Sequence, residues 1–252
     1  PPQFQAELLR LAQEPTSGTH RYMPNAGYKE TRAAVAAELV KETGLDFKAT
    51  DVVMTCGAGG GMNVALKALL DPGQEVIVFA PYFVEYVFYV DNHSGVCKII
   101  NTDEVFNPDL DAMERAITAK TRVVIINSPN NPTGVVYSEG LLAEMGHLIG
   151  RKEAQFGTEI FLLSDEPYRT LIYDGLTYPF VFRYHVHSLV ATSYSKDLAL
   201  PGERIGYIAV NPEYKDREEL IDALTFCTRT LGFVNAPALM QRIVSRIKGV
   251  NI

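Results

Sequence analysis

The chain has 252 residues, of which 47% are hydrophobic and 21% are charged; this balance is typical of a soluble globular protein and excludes extensive disorder. The formal net charge is −7, and no cluster of lysine and arginine offsets it, which excludes a dedicated surface for nucleic acid or an anionic membrane. Three widely spaced cysteines favour reduced thiols, and no apolar run approaches the roughly 20 residues that span a bilayer. The opening segment PPQFQAELLR lacks the basic-then-apolar order of a signal peptide. We therefore expect a cytoplasmic protein.

Short apolar strands alternate with helical segments along most of the chain. The predicted strands, in chain order, cover residues 51–56, 75–80, 96–100, 122–127, 159–165, 188–193 and 204–210. Helical spacing falls between some of them, over residues 61–73, 109–117 and 138–157. This alternation predicts an α/β fold with a mostly parallel sheet and helices on both faces, in three αβα layers. Because no repeat or linker divides the sequence, we expect a single domain over residues 1–252.

A glycine-rich segment, Gly57-Ala58-Gly59-Gly60-Gly61, lies between a predicted strand and a predicted helix. Such a segment lets backbone N–H groups and a helix N-terminus approach a phosphate. Met62 stands where a dinucleotide fingerprint needs glycine, and the Gly-Lys-Ser/Thr of a P-loop is absent. A tight turn explains the segment equally well, so this motif decides nothing by itself.

A lysine follows the strand predicted over residues 188–193. Ser193 and Ser195 come three and one residues before Lys196, and Arg204 comes eight residues after it. A lysine in this setting can bind a carbonyl compound covalently, while the hydroxyls and the two-pronged guanidinium hold a phosphate. A solvated loop lysine is the alternative, and the flanking hydroxyls and the arginine favour the first interpretation.

Two further polar segments follow predicted strands. Asp165 ends an apolar strand, where an unpaired carboxylate is costly to bury, so it needs a partner such as a protonated pyridine nitrogen. A helix cap or an ion pair with Arg169 is the alternative. The run from Asn127 to Gly134 has prolines and a glycine that fix a rigid loop at a strand end, which on composition alone is a simple turn.

Together these segments resemble one family. The order and spacing of SPNNPTG (128–134), SDEPY (164–168), SYSK (193–196) and GERIGY (202–207) are similar to those of fold-type I aminotransferases, the aspartate aminotransferase superfamily of class I/II. The resemblance begins at about Tyr22 and covers essentially the whole chain. It implies the large domain of an enzyme that depends on pyridoxal 5'-phosphate and transfers an amino group between an amino acid and a 2-oxo acid.

The resemblance also implies roles for single residues around the pyridine ring. Lys196 would bind the cofactor covalently and later move a proton, and Asp165 would pair with the ring nitrogen. Asn131 and Tyr168 would donate hydrogen bonds to the phenolic oxygen. Phe83, in the run APYFVEY, matches the aromatic residue that stacks on the ring face.

Other matched positions concern the phosphate and a second subunit. The groups that would hold the phosphate are two hydroxyls, one guanidinium and three backbone amides, from Ser193, Ser195, Arg204, Ala58, Gly59 and Gly60. Tyr22 matches a tyrosine that family members extend across a dimer interface toward the neighbour's phosphate, so a homodimer is expected.

The sequence departs from the family in length. Family members continue beyond the position of Ile252 into a small domain that carries the arginine for the substrate's α-carboxylate. We therefore expect this chain to be the large domain without that small domain, to bind cofactor, and to turn over slowly or not at all. A C–S lyase or decarboxylase on the same cofactor, or a non-catalytic module that binds it, remains an alternative; a nucleotide-binding α/β protein is weaker, because it leaves Lys196 and Asp165 unexplained.

One close pair of histidines, His185 and His187, is weak evidence for a metal site. The two residues lie on either side of Val186, and the sequence shows no cysteine or acidic ligand beside them. Without such a ligand, core or surface-loop histidines are the better interpretation, and no metal site is expected.

Overall fold

The computed structural model describes residues 1–14 and 18–247. Its strands are β1 Val52–Thr55, β2 Glu75–Ala80, β3 Val96–Asn101, β4 Thr121–Asn127, β5 Phe161–Asp165, β6 Ser188–Ser193 and β7 Gly206–Val210. Its helices are α1 Pro2–Gln13, α2 Lys29–Thr43, α3 Gly57–Leu69, α4 Glu85–Asp91, α5 Leu110–Ala116, α6 Glu139–Phe156, α7 Tyr194–Asp197, α8 Arg217–Thr230 and α9 Ala238–Val244.

The strands form one mixed, mostly parallel sheet in the order β1-β7-β6-β5-β4-β2-β3. The chain divides into two compact units, one of residues 65–191 and one that combines residues 1–64 with 192–252. Strand β6 contributes to both units, with Ser188–Ala191 in the first and Thr192–Ser193 in the second. The predicted fold class, a mostly parallel α/β sheet, is confirmed.

The unit of residues 65–191 contains the parallel part of the sheet. Strands β2, β4 and β5 run parallel to their neighbours, and β5 is buried along its whole length, as β-branched and leucine-rich strands of such sheets are. Helix α6 begins where the Ser138 hydroxyl accepts a hydrogen bond from the Leu141 N–H at 3.2 Å. It ends at Gly157, whose φ of 66° places it in the left-handed conformation of many helix ends.

The unit of residues 1–64 and 192–252 contains the antiparallel part. Strand β1 pairs antiparallel with β7, so that Val52 lies opposite Ala209 and Thr55 lies opposite Gly206. All residues of both strands are buried. Periodicity could not predict this reversed pairing, because an apolar strand has the same pattern in either direction.

Most predicted strand bounds agree with the structure, and β2 and β6 coincide with the predicted ranges. The start of α3 was predicted wrongly: the glycine-rich segment is the first turn of the helix, which begins at Gly57 and not at residue 61. Within residues 1–14 and 18–247, no helix combines the length and the apolar character needed to cross a membrane.

Candidate functional site

In the unit of residues 65–191, the main polar feature is the carboxylate of Asp165. This residue ends β5 and is only 7% exposed. Its Oδ2 accepts a hydrogen bond of 2.6 Å from the buried Tyr86 hydroxyl, whereas Oδ1 is buried and has no hydrogen-bond partner among the described residues. Burial raises the pKa of Asp165 to about 6, against the opposing effect of the Tyr86 hydrogen bond. The carboxylate therefore has one oxygen available for a further N–H donor.

The loop after β4 is tied to the end of β5. The Asn127 side-chain amide donates to the backbone carbonyl of Asp165 at 2.8 Å. The Asn127 side-chain oxygen accepts from the Asn131 N–H at 2.6 Å. A buried asparagine thus fixes both the predicted ring-oxygen ligand Asn131 and the backbone of Asp165.

Two aromatic side chains flank Asp165 within this unit. Phe83 is half-buried and meets Tyr86 edge to face, with ring centroids 5.6 Å apart and an interplanar angle of 76°. Tyr168 lies half-buried in the turn after β5, and burial together with the negative charge of Asp165 raises its pKa. Phe83, Asp165 and Tyr168, which the sequence predicted separately, thus share a neighbourhood.

Tyr86 and Asn127 are polar partners to which the sequence analysis assigned no role. Tyr86 is the second residue of α4, whereas Phe83 precedes that helix, and the Tyr86 N–H donates to the Phe83 carbonyl at 3.1 Å. The separation of three residues was a usable signal, because a single turn of the chain brings such residues close together. Asn127 belongs to the loop motif, but its contact with the Asp165 carbonyl depends on the β4–β5 pairing and is not visible in the sequence.

In the unit of residues 1–64 and 192–252, the glycine-rich helix start lies beside Arg204. Gly57 has a φ of 75°, and a Cβ added there would lie 3.0 Å from Nη2 of Arg204. Ala58 and Gly59 are half-buried and Gly60 is buried, all in the first turn of α3. The first N–H groups of a helix have no intrahelical acceptor, so this turn presents backbone donors next to a guanidinium.

The serines and the lysine lie at the end of β6 and in the short helix α7. Ser193 is buried, and its hydroxyl accepts from the Ser195 N–H at 3.4 Å. Lys196 is exposed. Arg204 has a φ of 50° and donates from Nη1 to the Pro201 carbonyl at 3.0 Å, which orients the guanidinium.

Close backbone packing holds these segments of the unit together. A Cβ at Gly206, the first residue of β7, would overlap the Thr192 carbonyl oxygen and would lie 3.0 Å from the Gly57 carbonyl carbon. The end of β6, the start of β7 and the turn before α3 therefore meet at a position that only glycine fits. The structure thus brings the predicted phosphate-binding groups of this unit onto neighbouring segments.

Tyr22 is a predicted site residue with a strongly exposed side chain. It is 90% exposed and lies in the segment before α2. It is one of the residues that line an open cleft of about 280 Å³, formed by residues 20–23 and 233–238. The structure brings no other predicted site residue into that lining.

The chain matches a known family of proteins over nearly its whole length. The family model described as aminotransferase class I and II matches residues 3–248. Two relatives are a probable aspartate/prephenate aminotransferase from Thermus aquaticus, 38% identical over 75% of this chain and 49% of its own, and a probable aspartate aminotransferase from Methanocaldococcus jannaschii, 34% identical over 81% and 53%. The chain thus spans about half the length of the relatives that it matches.

Solved structures are similar over nearly the whole chain. An amino transferase from Eubacterium rectale superimposes with a TM-score of 0.97 at 41% identity, over 100% of this chain and 64% of that one. An aspartate aminotransferase from Thermus thermophilus, solved with maleate, gives a TM-score of 0.85 at 32% identity, over 97% of this chain and 60% of that one.

Proposed function

Because the chain belongs to the class I and II aminotransferase family, a family that depends on pyridoxal 5'-phosphate, we propose that it binds this cofactor and acts in transfer of an amino group between an amino acid and a 2-oxo acid. The observation that carries the proposal is Oδ1 of Asp165, buried and without a hydrogen-bond partner in the described part of the chain. Such an oxygen is costly to bury unless a donor reaches it. The protonated nitrogen of a pyridine ring is a donor of that kind.

The residues around Asp165 fit the ring of this cofactor. Phe83 offers an aromatic face, and Asn131 and Tyr168 offer donors for the phenolic oxygen. The 2.6 Å hydrogen bond from Tyr86 leaves Oδ1 for the ring nitrogen. A pKa of about 6 in the cofactor-free chain should fall when a positive charge arrives, so binding and ionisation of Asp165 favour each other.

The second unit offers groups for the phosphate. We assign this role to Ser193, Ser195 and Arg204 and to the backbone amides of Ala58, Gly59 and Gly60. The 3.0 Å approach of Arg204 to the Cβ position of Gly57 supports the assignment, because a side chain there would occupy space beside the guanidinium. A phosphate dianion would be stabilised by that positive charge and by the N-terminus of α3.

When bound, pyridoxal phosphate supplies an electron sink for negative charge that develops at the substrate's Cα. Asp165 keeps the ring nitrogen protonated, which preserves that capacity. Lys196 would hold the cofactor covalently, and its side-chain amine, when free, would serve as the base and acid for the proton that moves during amino-group transfer. Arg204 and the serines hold the phosphate still during this exchange.

A spectroscopic titration tests cofactor binding. The purified chain with pyridoxal phosphate should develop visible absorbance from the covalent link, and Lys196→Ala should abolish it. Lys215→Ala is the matched control, because Lys215 is an exposed lysine of the same unit, and it should leave the absorbance unchanged. Asp165→Ala should weaken binding by about 10-fold or more, as expected for loss of a charged hydrogen bond. Absorbance that persists in Lys196→Ala would contradict the proposal.

Addition of amino acids then tests whether the chain with bound cofactor is catalytically active. The names of the relatives make aspartate the first donor to test. We expect aspartate to bleach the visible band while steady turnover stays low, because no residue of this chain is assigned to orient the α-carboxylate. A rate comparable to that of full-length relatives would contradict this expectation. Release of CO₂ from an amino acid, or of a thiol from an added amino acid that contains a C–S bond, would instead favour the decarboxylase or lyase alternative. A band that no amino acid changes would favour a binding module.

We also propose a homodimer in the cytoplasm. The exposed Tyr22 supports the dimer, since a tyrosine at this position of the family contacts the neighbouring subunit. Three free cysteines support a reducing compartment. Sedimentation equilibrium should give twice the chain mass of 27.9 kDa, and Tyr22→Phe should weaken cofactor affinity without changing that mass. A monomer with unaltered cofactor affinity in Tyr22→Phe would contradict the proposal.

A further inference from the structure

Three side chains that the proposed function does not use meet near the starts of β5 and β6. They are Glu153 of α6 and the histidine pair His185 and His187, and we call them the Glu-His-His cluster. One ligand atom from each lies within 4.8 Å of the others. The sequence argument against a metal at the histidine pair was the lack of a nearby acidic ligand. That argument is wrong in three dimensions, because α6 brings Glu153 to the pair.

The distances suit a small cation. Oε1 of Glu153 lies 2.6 Å from Nδ1 of His187 and 3.6 Å from Nε2 of His185. Ligand atoms about 2.0–2.1 Å from a tetrahedral zinc ion lie roughly 3.4 Å apart. The 3.6 Å distance is close to that value, whereas the 2.6 Å distance is that of a hydrogen bond, so His187 would move away from Glu153 on binding. The backbone carbonyl of Ile160 lies 2.9 Å from Nε2 of His185, so it is within reach as a fourth ligand.

The cluster is shielded from solvent and carries charge. The side chains of Glu153 and His187 are each 15% exposed, and that of His185 is 5% exposed. The cluster's negative charge is that of the Glu153 carboxylate, whose Oε1 also accepts a hydrogen bond of 2.7 Å from the Ile160 N–H, so the oxygen is held beside the two rings.

A second carboxylate lies where an outer partner of a metal-bound histidine is expected. Oε1 of Glu159 is 3.6 Å from Nε2 of His187, the ring nitrogen that does not face Glu153. A histidine that binds a metal through one nitrogen usually directs the other N–H to a carboxylate, which fixes the tautomer. At 3.6 Å the contact is longer than a hydrogen bond, so Glu159 would have to move slightly closer to His187 to act as this outer partner.

We propose that the Glu-His-His cluster binds a divalent transition-metal ion of the zinc class through Glu153, His185 and His187. Two imidazoles and one carboxylate form a donor set that suits zinc, and cobalt as its substitute. In the metal-free chain the ring N–H groups bond to Glu153 and Ile160. Metal binding requires the tautomer with the proton on the other ring nitrogen, and a doubly protonated ring has no free electron pair, so protons compete with the metal. The site lies at the opposite end of β5 from Asp165, which assigns it a structural role: it joins α6 to the segment before β6.

Metal titration of the untagged full chain tests the proposal. After treatment with a chelator, Zn²⁺ should bind with 1:1 stoichiometry and micromolar or tighter affinity by calorimetry. Co²⁺ should give the visible absorption of a four-coordinate site. At zinc about 100-fold above its Kd, the Tm should rise by about 5–10 °C, and lowering the pH from 7.5 to 5.5 should weaken the binding.

Variants locate the site. Glu153→Gln and His187→Gln should each weaken zinc binding by about 100-fold, and Glu159→Gln by about 10–100-fold, as for an outer partner. His147→Gln is the matched control, because His147 is an exposed histidine of α6, and it should bind zinc like the wild type.

Several results would overturn the proposal. They are absence of 1:1 binding by the wild-type chain, a cobalt spectrum of a six-coordinate hydrated ion, or equal loss of affinity in His147→Gln. If a ligand variant fails to fold, the wild-type cobalt spectrum and Glu159→Gln decide the question. None of these readouts involves the cofactor, so failure here is distinct from failure of the proposed function.

Discussion

At the scale of single residues, Asp165 is held between two opposing effects. Burial favours its neutral form, whereas the Tyr86 hydroxyl favours the ionised form, and burial is the larger effect. The carboxylate is consequently a destabilising group in the cofactor-free chain at neutral pH. A ligand that brings a positive charge would stabilise the ionised form of this carboxylate.

Asp165→Asn should reveal this cost as a dependence of stability on pH. The folded-state pKa of about 6 exceeds the ordinary value of 3.8, so the folded chain holds the proton more tightly than the unfolded chain does. Stability from this group is therefore present below pH 4 and lost as the pH rises through 6. Between pH 4 and pH 7.5 the free energy of unfolding of the wild type should fall by about 2–3 kcal/mol relative to Asp165→Asn. Urea unfolding of both cofactor-free proteins measures the difference between their free energies of unfolding at each pH. A difference that stays constant from pH 4 to pH 7.5 would refute the expectation.

Tyr86→Phe should raise the pKa of Asp165 further and weaken cofactor binding. The change removes the 2.6 Å hydrogen bond and leaves both carboxylate oxygens without a protein donor. Loss of a hydrogen bond to a charged group costs about 1.5–3 kcal/mol, which corresponds to about 10–100-fold in affinity. Fluorescence titration with pyridoxal phosphate measures the change.

Tyr89→Phe is the matched control for this prediction. Tyr89 belongs to the same helix, and its hydroxyl donates to Glu85 at an exposed position. Exposed hydrogen bonds contribute little, so cofactor affinity should stay within about twofold of the wild type. Equal effects of the two substitutions would show that α4, and not the Tyr86 hydroxyl, is responsible.

At the scale of elements, helix α6 depends on one glycine for its packing. A Cβ at Gly146 would overlap the carbonyl oxygen of Tyr184, whereas a Cβ at Gly150 on the same helix would meet nothing within 4 Å. The bare backbone at residue 146 therefore lets α6 lie against the segment that leads into His185. This close approach is also what brings Glu153 to the histidine pair.

Gly146→Ala and Gly150→Ala should consequently change stability in opposite directions. Both gain about 0.5–1 kcal/mol of helix propensity. At residue 146 the overlap with a backbone atom outweighs that gain, and the free energy of unfolding should fall by about 3 kcal/mol or more. Gly150→Ala should raise it by about 0.5–1 kcal/mol. Chemical denaturation gives both values, and two stabilising substitutions would show that α6 can shift away from Tyr184.

The start of α3 shows what sequence patterns miss at this scale. Glycine is among the poorest helix formers, so a segment with four glycines in five residues indicates a loop. In the structure Gly57 and Gly60 are buried, and the Cβ position of Gly60 lies within ordinary contact distance of Cys56 and the ring of Phe233. Tertiary packing therefore overrides propensity, and only the N-terminal anion-binding character of the segment was readable beforehand.

At the scale of the whole molecule, the sequence was sufficient for the strands, the class of sheet and the identity of the polar residues at strand ends. It was not sufficient for contacts between distant segments. Tyr86 reaches Asp165 across 79 residues, and Glu153 reaches His187 across 34. Such contacts depend on strand order and on how a helix packs, and neither is encoded in local periodicity.

Strand β5 separates two sets of polar groups, those around Asp165 and those of the Glu-His-His cluster. Asp165 is its last residue and Ile160 precedes its first, so five residues at about 3.3 Å each place the two ends roughly 17 Å apart. Perturbations that far apart and without shared partners are thermodynamically independent, so the unfolding free-energy changes of Asp165→Asn and Glu153→Gln should add to within about 0.5 kcal/mol in the double variant. A dye or surface linker attached near residue 153 would then leave the cofactor end of β5 undisturbed. A coupling energy larger than about 0.5 kcal/mol would instead show that β5 transmits changes between its two ends.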